Sequence, residues 1–422
     1  VNLAWLSLGA LFLAIFISCT TKLNVGVVSL VLAWIIGVYV AGLRFEEVAA
    51  GFPVQLFLTL VGVTFLFTQA HTNRTLDKLA HRAVRVCGGN TGLIPVMFFV
   101  LAAGLASMGP GNIATAALMA PLAMATAART GVPAFLMAIM VGNGANAGSL
   151  SPFAPTGIIV NGLMERAGMA GLEWRAYGTN LAAHAAVAFG GYFLLGGLRL
   201  FRARHGELGA TRLWDSTECV PNEAFQRDNW LTLTVIFGLI LCVVVWGISV
   251  GMGAFAGATL LGLLRAADHG ESLRKIPWGV IVMVTGITVL VALLERTQGM
   301  DLFTDLLSRT ATPQSVTAVI AFLTGLISVY SSTSGVVLPA FLPTVPGLAE
   351  RLGGVDPVAV ALSMNVGSHL VDVSPLSTIG ALCVASVAAV EEARRLFNRL
   401  LAWGLSMTGV GAVLCWLVLG RC

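Results

Sequence analysis

The sequence predicts an all-α polytopic membrane protein, and three observations lead there. First, 57% of its 422 residues are hydrophobic and 10% charged, with a mean hydropathy of +0.88. A soluble core of this size needs far more polar surface to cover it. Second, apolar runs long enough to span a bilayer recur from end to end, so lipid is the solvent. Third, Gly, Pro and Ser interrupt four apolar stretches, two in each half of the chain, in matching order.

Charge and cysteine usage exclude other classes. A net charge of +4 comes from 24 basic residues spread over short loops, which is a positive-inside pattern and not a nucleic-acid footprint. The seven cysteines show no CxxC or His-paired spacing and sit in or beside apolar runs, where Cys acts as a small hydrophobe. No metal site, disulfide framework or cofactor is expected.

The elements follow in order. Spans are expected at 3–19, 25–43 and 53–70; the first, with no basic segment before it, reads as a span and not a cleaved leader. The segment 71–87 puts Leu76, Leu79, Ala80, Ala83, Val84 and Cys87 on one helical face, with Arg74, Lys78, Arg82 and Arg85 opposite. That pattern suits an arm lying at the membrane interface. The stretch 92–129 carries a Gly/Pro break and reads as a hairpin that enters the membrane and turns back. Such backbone is tolerated only where protein or water satisfies it. A long span with a central break, 134–165, and a plain span, 177–198, complete the series. The polar segment 199–229 reads as a linker on the inner side. The series then repeats: spans at 230–250, 252–266 and 277–296, and an arm at 299–310 with Met300, Phe303, Leu306 and Leu307 opposite Asp301, Asp305 and Arg309. A hairpin at 313–352, a broken span at 356–390 and a final span at 398–420 follow.

This order predicts ten spans and two hairpins. Residues 1–70 and 230–297 are expected as scaffold, 71–91 and 298–312 as arms, and 92–198 and 313–422 as the units carrying hairpin and broken helix. Weak similarity supports a repeat. The run Ser151 to Gly157 aligns with Ser374 to Gly380, and at the same offset Gly144 falls on Gly367. Five crossings per half is an odd number, so the second half is expected upside down, and such folds bind their ligand between the repeats. With both termini outside, seventeen of the 24 basic residues fall inside. Seven fall outside: Arg44, Arg166, Arg175, Arg296, Arg309, Arg351 and Arg421. The bias favours that orientation.

Four breaks carry the chemistry: Ser107 to Asn112, Asn143 to Pro152, Ser331 to Gly335, and Asn365 to Pro375. Gly and Pro open a helix and free backbone groups. Freed N–H groups with hydroxyls suit a carboxylate, and freed carbonyls with Asn and Ser oxygens suit a bare cation. Candidate substrate ligands are Ser107, Gly109, Asn112, Asn146, Ser149, Ser151, Ser332, Thr333, Ser368, His369 and Ser374. Candidate cation ligands are Gly111, Asn112, Asn143, Ser334, Asn365 and Asp372. No Lys or Arg lies in any break, so an anion is expected to be held by dipoles, hydroxyls, amides and co-bound cations. Moving a dianion against an inside-negative potential costs about 4.6 kcal/mol per 100 mV, which cation entry offsets. His369 and Asp372 are the ionisable residues of the breaks. Asp372 reads either as a cap of a half-helix starting near Ser374 or as a cation ligand or proton carrier with His369 holding its orientation. His184, in an Ala-rich span, reads as structural. Ser368, His369 and Asp372 form the sole enzyme-like constellation, and it lacks any partner motif.

The first half resembles the malonate/dicarboxylate carrier (MatC-type) family of the ion-transporter superfamily. The likeness lies in T-K-L-N-V-G (Thr21 to Gly26), G-F-P-V-Q-L-F-L-T-L-V-G-V-T (Gly51 to Thr64), the G-P-G-N tip, and S-P-F-A-P-T-G-I-I-V-N-G (Ser151 to Gly162). More distantly, Gly111 to Pro121 is similar to the Ser-Asn-Thr tips of divalent anion:sodium symporters. Asn112 matches the tip Asn, while Gly111 and Ile113 replace Ser and Thr; at the second tip Ser334 and Gly335 stand in place of Ser-Asn. The resemblance implies a homodimeric elevator in the inner membrane, importing a small dicarboxylate (malonate or a C4 acid) with Na+ or H+ and using no nucleic acid. The membrane subunit of a binding-protein-dependent carboxylate system is the alternative.

Overall fold

A computed structural model describes residues 2–21, 23–76, 78, 91–202, 224–246, 248–329, 331–387 and 389–420, and every regular element among them is helical. In the first half, α1 is Leu3–Thr20 and α2 is Val25–Trp34, continued by a π-helical turn Ile35–Val40. Then come α3 (Phe45–Ala49), α4 (Val54–Thr72), α5 (Leu93–Ser107), α6 (Gly111–Thr130), α7 (Ala134–Ala147), α8 (Pro155–Arg166), α9 (Glu173–Tyr192) and α10 (Leu198–Arg202). The second half holds α11 (Arg227–Trp246), α12 (Val250–Leu263), α13 (His269–Arg274), α14 (Trp278–Arg296), α15 (Gly299–Ser308), α16 (Val316–Ser328), α17 (Leu338–Phe341), α18 (Val345–Leu352), α19 (Pro357–Leu370), α20 (Thr378–Ala385) and α21 (Val390–Val418).

Six helical stretches among the described residues are long and apolar enough to cross a membrane by themselves: Val54–Thr72, Gly111–Ala128, Glu173–Leu200, Trp278–Arg296, Pro357–Ala385 and Val390–Val418. One of them, Gly111–Ala128, falls where a hairpin leg was expected; shorter apolar helices, α1, α2, α5, α7 and α12, fall on the stretches expected at 3–19, 25–43, 92–129, 134–165 and 252–266. Both long stretches read as broken are broken. Pro155 starts α8 after seven non-helical residues, and in the second half a 3-10 turn, Val371–Val373, separates α19 from α20. The second hairpin bends by 117° between Val316–Ser328 and Thr333–Leu352.

Element boundaries recur at nearly one spacing. Ala134–Ala147 and Pro357–Leu370 lie 223 positions apart at both ends, and Val54–Thr72 and Trp278–Arg296 lie 224 apart at both ends. The packing recurs too. A Cβ on Gly26 of α2 would collide with the Val282 carbonyl of α14, and one on Gly286 with the Gly26 backbone. In the matching pair α12 and α4, a Cβ on Gly251 would meet the Thr59 Cα at 2.6 Å, and one on Gly62 would strike the Gly251 carbonyl. Backbone contact of this kind needs small residues where apolar helices have no hydrophobic drive to associate. Asn24 strengthens the first crossing: its Oδ1 caps Gly26 N–H at 2.9 Å while its Nδ2 donates 2.7 Å to the Gly279 carbonyl.

The segment read as the second arm contains the helix Gly299–Ser308. Met300, Phe303 and Leu307 are buried, Leu306 is half-buried, and Asp301 and Arg309 are exposed. Phe303 stacks edge-on against Phe12 of α1 at 5.8 Å and Phe341 of α17 at 5.2 Å, so the arm joins the first span to the second hairpin. Asp305 pairs with Arg309 and Arg351, each at 2.8 Å. Most of the first arm, residues 77 and 79–90, and most of the linker, 203–223, lie outside the described residues. The first hairpin packs in a core of its own with α7, built on Phe98, Met119, Met137 and Met140 and joined by Ile379 and Leu400 of the second half.

Candidate functional site

The first tip owes its shape to two glycines. Gly109 has φ 137° and Gly111 φ 77°, conformations a side chain resists, and a Cβ on Gly109 would run into the Phe67 ring of α4. Behind the tip, the first break holds it in place. Ser151 Oγ donates 2.7 Å to the Ser107 carbonyl, Ser107 Oγ lies 2.9 Å from Tyr177 Oη, and Asn112 Nδ2 donates 2.9 Å to Asn146 Oδ1. Ser149 Oγ and Asn180 Nδ2 both donate to the Asn146 carbonyl, at 2.7 and 2.8 Å. Asn143 Nδ2 donates to the Ile139 carbonyl, leaving its Oδ1 to meet His184 Nδ1 at 2.9 Å.

The second tip is built with different groups. Ser332 Oγ accepts from Gly335 N–H at 3.1 Å. Thr333 Oγ1 donates 2.8 Å to Asp372 Oδ1, lies 3.3 Å from the Ser368 carbonyl, and is bonded by the Ser328 hydroxyl. Asp372 therefore caps no helix. The half-helix α20 begins at Thr378 with Ser377 as its N-cap, four residues later than expected, because the 3-10 turn and Pro375 prolong the break. His369 does not orient Asp372 either: its Nδ1 donates 2.8 Å to the Asn365 carbonyl one turn back. That bond puts the proton on Nδ1 and leaves Nε2 an acceptor in the neutral ring. Ser368 Oγ bonds back to Met364, Asn365 Nδ2 reaches Met164 Sδ at 3.8 Å, and Ser374 is buried against Gly404 of α21. Asn146 Nδ2, Asn365 Oδ1 and His369 Nε2 are buried with no hydrogen-bond partner among the described residues.

A cavity of about 400 Å³ opens at the first tip, within the usual range for small-molecule sites. Of the sequence candidates, Gly109, Gly111, Asn112 and Ser334 line it. The tip also supplies Thr115, whose hydroxyl is buried and unpartnered among the described residues. The remaining candidates do not line it; Ser107, Asn146, Ser151, Thr333 and Asp372 tie the tips to the breaks behind them, while Asn143, Asn365, His369 and Ser374 bond or pack elsewhere. Sequence reasoning missed the facing wall. Thr64, Thr68 and His71 of α4, spaced four and three apart, face the cavity, and Lys275 borders it from the loop before α14. Lys275 reaches the cavity from outside the four breaks, so a cationic side chain stands beside the amides and hydroxyls of the tip. The polar stripe on an otherwise apolar helix was the signal for the first three; Lys275 had none. A second cavity, about 690 Å³, sits by the other half of α4, with Gln55, Thr59, Glu165, Arg166 and Glu173 in its wall. Helix α8, like α4, contributes to the walls of both.

This is the architecture of a membrane transport protein: an all-helical body with broken helices, and cavities flanking one span. Residues 2–149 match the family described as the dicarboxylate carrier protein MatC N-terminus, and together with the solved folds below this likeness indicates a transport protein, not an enzyme. Two solved transporters share the fold. The YdaH transporter of Alcanivorax borkumensis, described as having an unusual topology, aligns over 100% of this chain and 99% of its own at 16% identity, TM-score 0.62. Neisseria gonorrhoeae MtrF, described within a class of antimetabolite efflux pumps, aligns over 90% of this chain and 83% of its own at 12% identity, TM-score 0.61. No curated protein matches the chain in sequence.

Proposed function

We propose that this chain is a secondary active transporter that imports a small dicarboxylate, malonate or a C4 acid, together with Na+ or H+. It works as an elevator of two inverted halves in a bacterial-type inner membrane, both termini outside, assembled as a homodimer. The observation that carries this reading is the cavity whose one wall is the hairpin tip and whose other wall is the scaffold span α4. A tip that slides along α4 carries its ligand from one cavity toward the other. Support for inverted halves comes from the 223- and 224-residue spacing and from the paired glycine crossings. Support for a carboxylate comes from the MatC match and from the positive end of α6 at the tip. Asn112, Ser334 and Asp372 are the cation ligands this reading favours, and Gly111, Asn143 and Asn365 are further candidates.

Reconstitution tests it. The purified chain in liposomes should accumulate labelled malonate when a Na+ gradient or a pH gradient is imposed, and unlabelled malonate should drive counterflow. Flux that neither gradient accelerates overturns symport. Liposomes that take up no dicarboxylate under either gradient overturn the substrate.

A further inference from the structure

We propose that Lys275 is the counter-charge for the far carboxylate of a dicarboxylate bound in the tip cavity, and that Glu271 holds that place when no ligand is bound. The inference rests on the dicarboxylate reading above and adds how the charge of the second carboxylate is met. Polar groups reach the cavity wall from two parts of the fold. The tip supplies Asn112, the Thr115 hydroxyl, unpartnered among the described residues, and the first turn of α6, whose positive end suits one carboxylate. From α4 and the loop before α14 come His71 and Lys275, the latter the one Lys or Arg among the described lining residues.

Lys275 Nζ lies 2.6 Å from Glu271 Oε1, and the two side chains are 43% and 53% exposed. An exposed pair one helical turn apart is weak and salt-screened, so a ligand carboxylate displaces Glu271 at little cost. The exchange conserves charge: one carboxylate leaves Lys275 as another arrives. A monoanion seated at the tip has nothing to offer Lys275, so the lysine separates dianions from monoanions. Glu271 sets how readily it does so.

The test is binding to the full-length purified chain by titration calorimetry, with malonate and monomethyl malonate as probes. Lys275→Gln should weaken malonate about tenfold, the scale of a lost charged hydrogen bond, and leave the monoester unchanged. Lys275→Arg should restore malonate binding, and Glu271→Gln should tighten it roughly threefold, the scale of a weak surface pair released. Wild-type affinity for malonate in Lys275→Gln overturns the proposal, as does equal weakening of both probes. Should the wild-type chain bind neither probe, the dicarboxylate reading itself fails, a result distinct from a Lys275 variant that binds like wild type.

Discussion

Thr333→Val probes the tie between the second tip and its broken span. The substitution keeps the shape of the side chain and removes the hydroxyl that donates 2.8 Å to Asp372 Oδ1. Asp372 is 7% exposed, so water cannot replace the lost donor freely. A hydrogen bond to a charged group contributes about 1.5–3 kcal/mol and a neutral one about 1 kcal/mol. Thr333→Val should therefore destabilise the protein by about 2 kcal/mol, roughly thirtyfold in the folding equilibrium. Asp372→Asn keeps an acceptor oxygen in the same place and removes the charge; in that background Thr333→Val should cost about 1 kcal/mol. The Ser328 hydroxyl loses its partner in both backgrounds, so its contribution cancels in the double-mutant cycle. What remains is a coupling of about 1 kcal/mol. Reversible unfolding of the four variants by SDS titration in mixed micelles measures it. A coupling indistinguishable from zero refutes a charged Asp372–Thr333 bond, and near-wild-type stability of Thr333→Val refutes the bond altogether.

Asn112→Ala removes both the tip amide and its bond to Asn146, and should cut malonate uptake at least about tenfold with membrane expression unchanged, measured in the liposome assay. Gly286→Leu forces a side chain into the Gly26 backbone and should cost about 3 kcal/mol by the same SDS titration, at the upper end for overpacking. Phe303→Ala empties the contact between Phe12 and Phe341 and should cost about 3 kcal/mol, whereas Arg351→Ala, which loses an exposed pair with Asp305, should cost under about 1 kcal/mol. Cysteine at His71 should react with an impermeant thiol reagent from the cytoplasmic side and be protected by malonate, while cysteine at Glu165 should react from the other side; reaction of both from one side contradicts two oppositely facing cavities.

Much of the fold was legible because lipid leaves its mark as long apolar runs, and because helix breaks require Gly and Pro. The broken stretches at 134–165 and 356–390 and the helix that buries Met300, Phe303 and Leu307 all appeared where hydrophobic pattern and Gly/Pro breaks put them. The site was legible only along the chain. Asn112 and Ser334 stood out as polar groups in apolar surroundings, and both line the cavity. Lys275 did not, because a basic residue before a span looks like any positive-inside loop. Local geometry also outran sequence at Asp372: a carboxylate just before Ser374 resembles a helix cap, yet the 3-10 turn moves the helix start to Thr378 and leaves Asp372 to Thr333 of a distant hairpin.

The glycine crossings described above impose a timetable on biosynthesis. Gly26 meets α14, and α14 begins at Trp278, some 250 residues after Val25. At roughly 5–20 residues per second, a ribosome delivers that partner about 13–50 s after α2 has entered the membrane. For most of that interval α2 and α4 present bare backbone notches to lipid or to an insertase, until α12, from Val250, reaches α4 and α14 then reaches α2. The first half is thus an assembly intermediate that waits for the second. Two separately expressed halves, divided within 203–223, should each be short-lived alone and rescue one another when produced together.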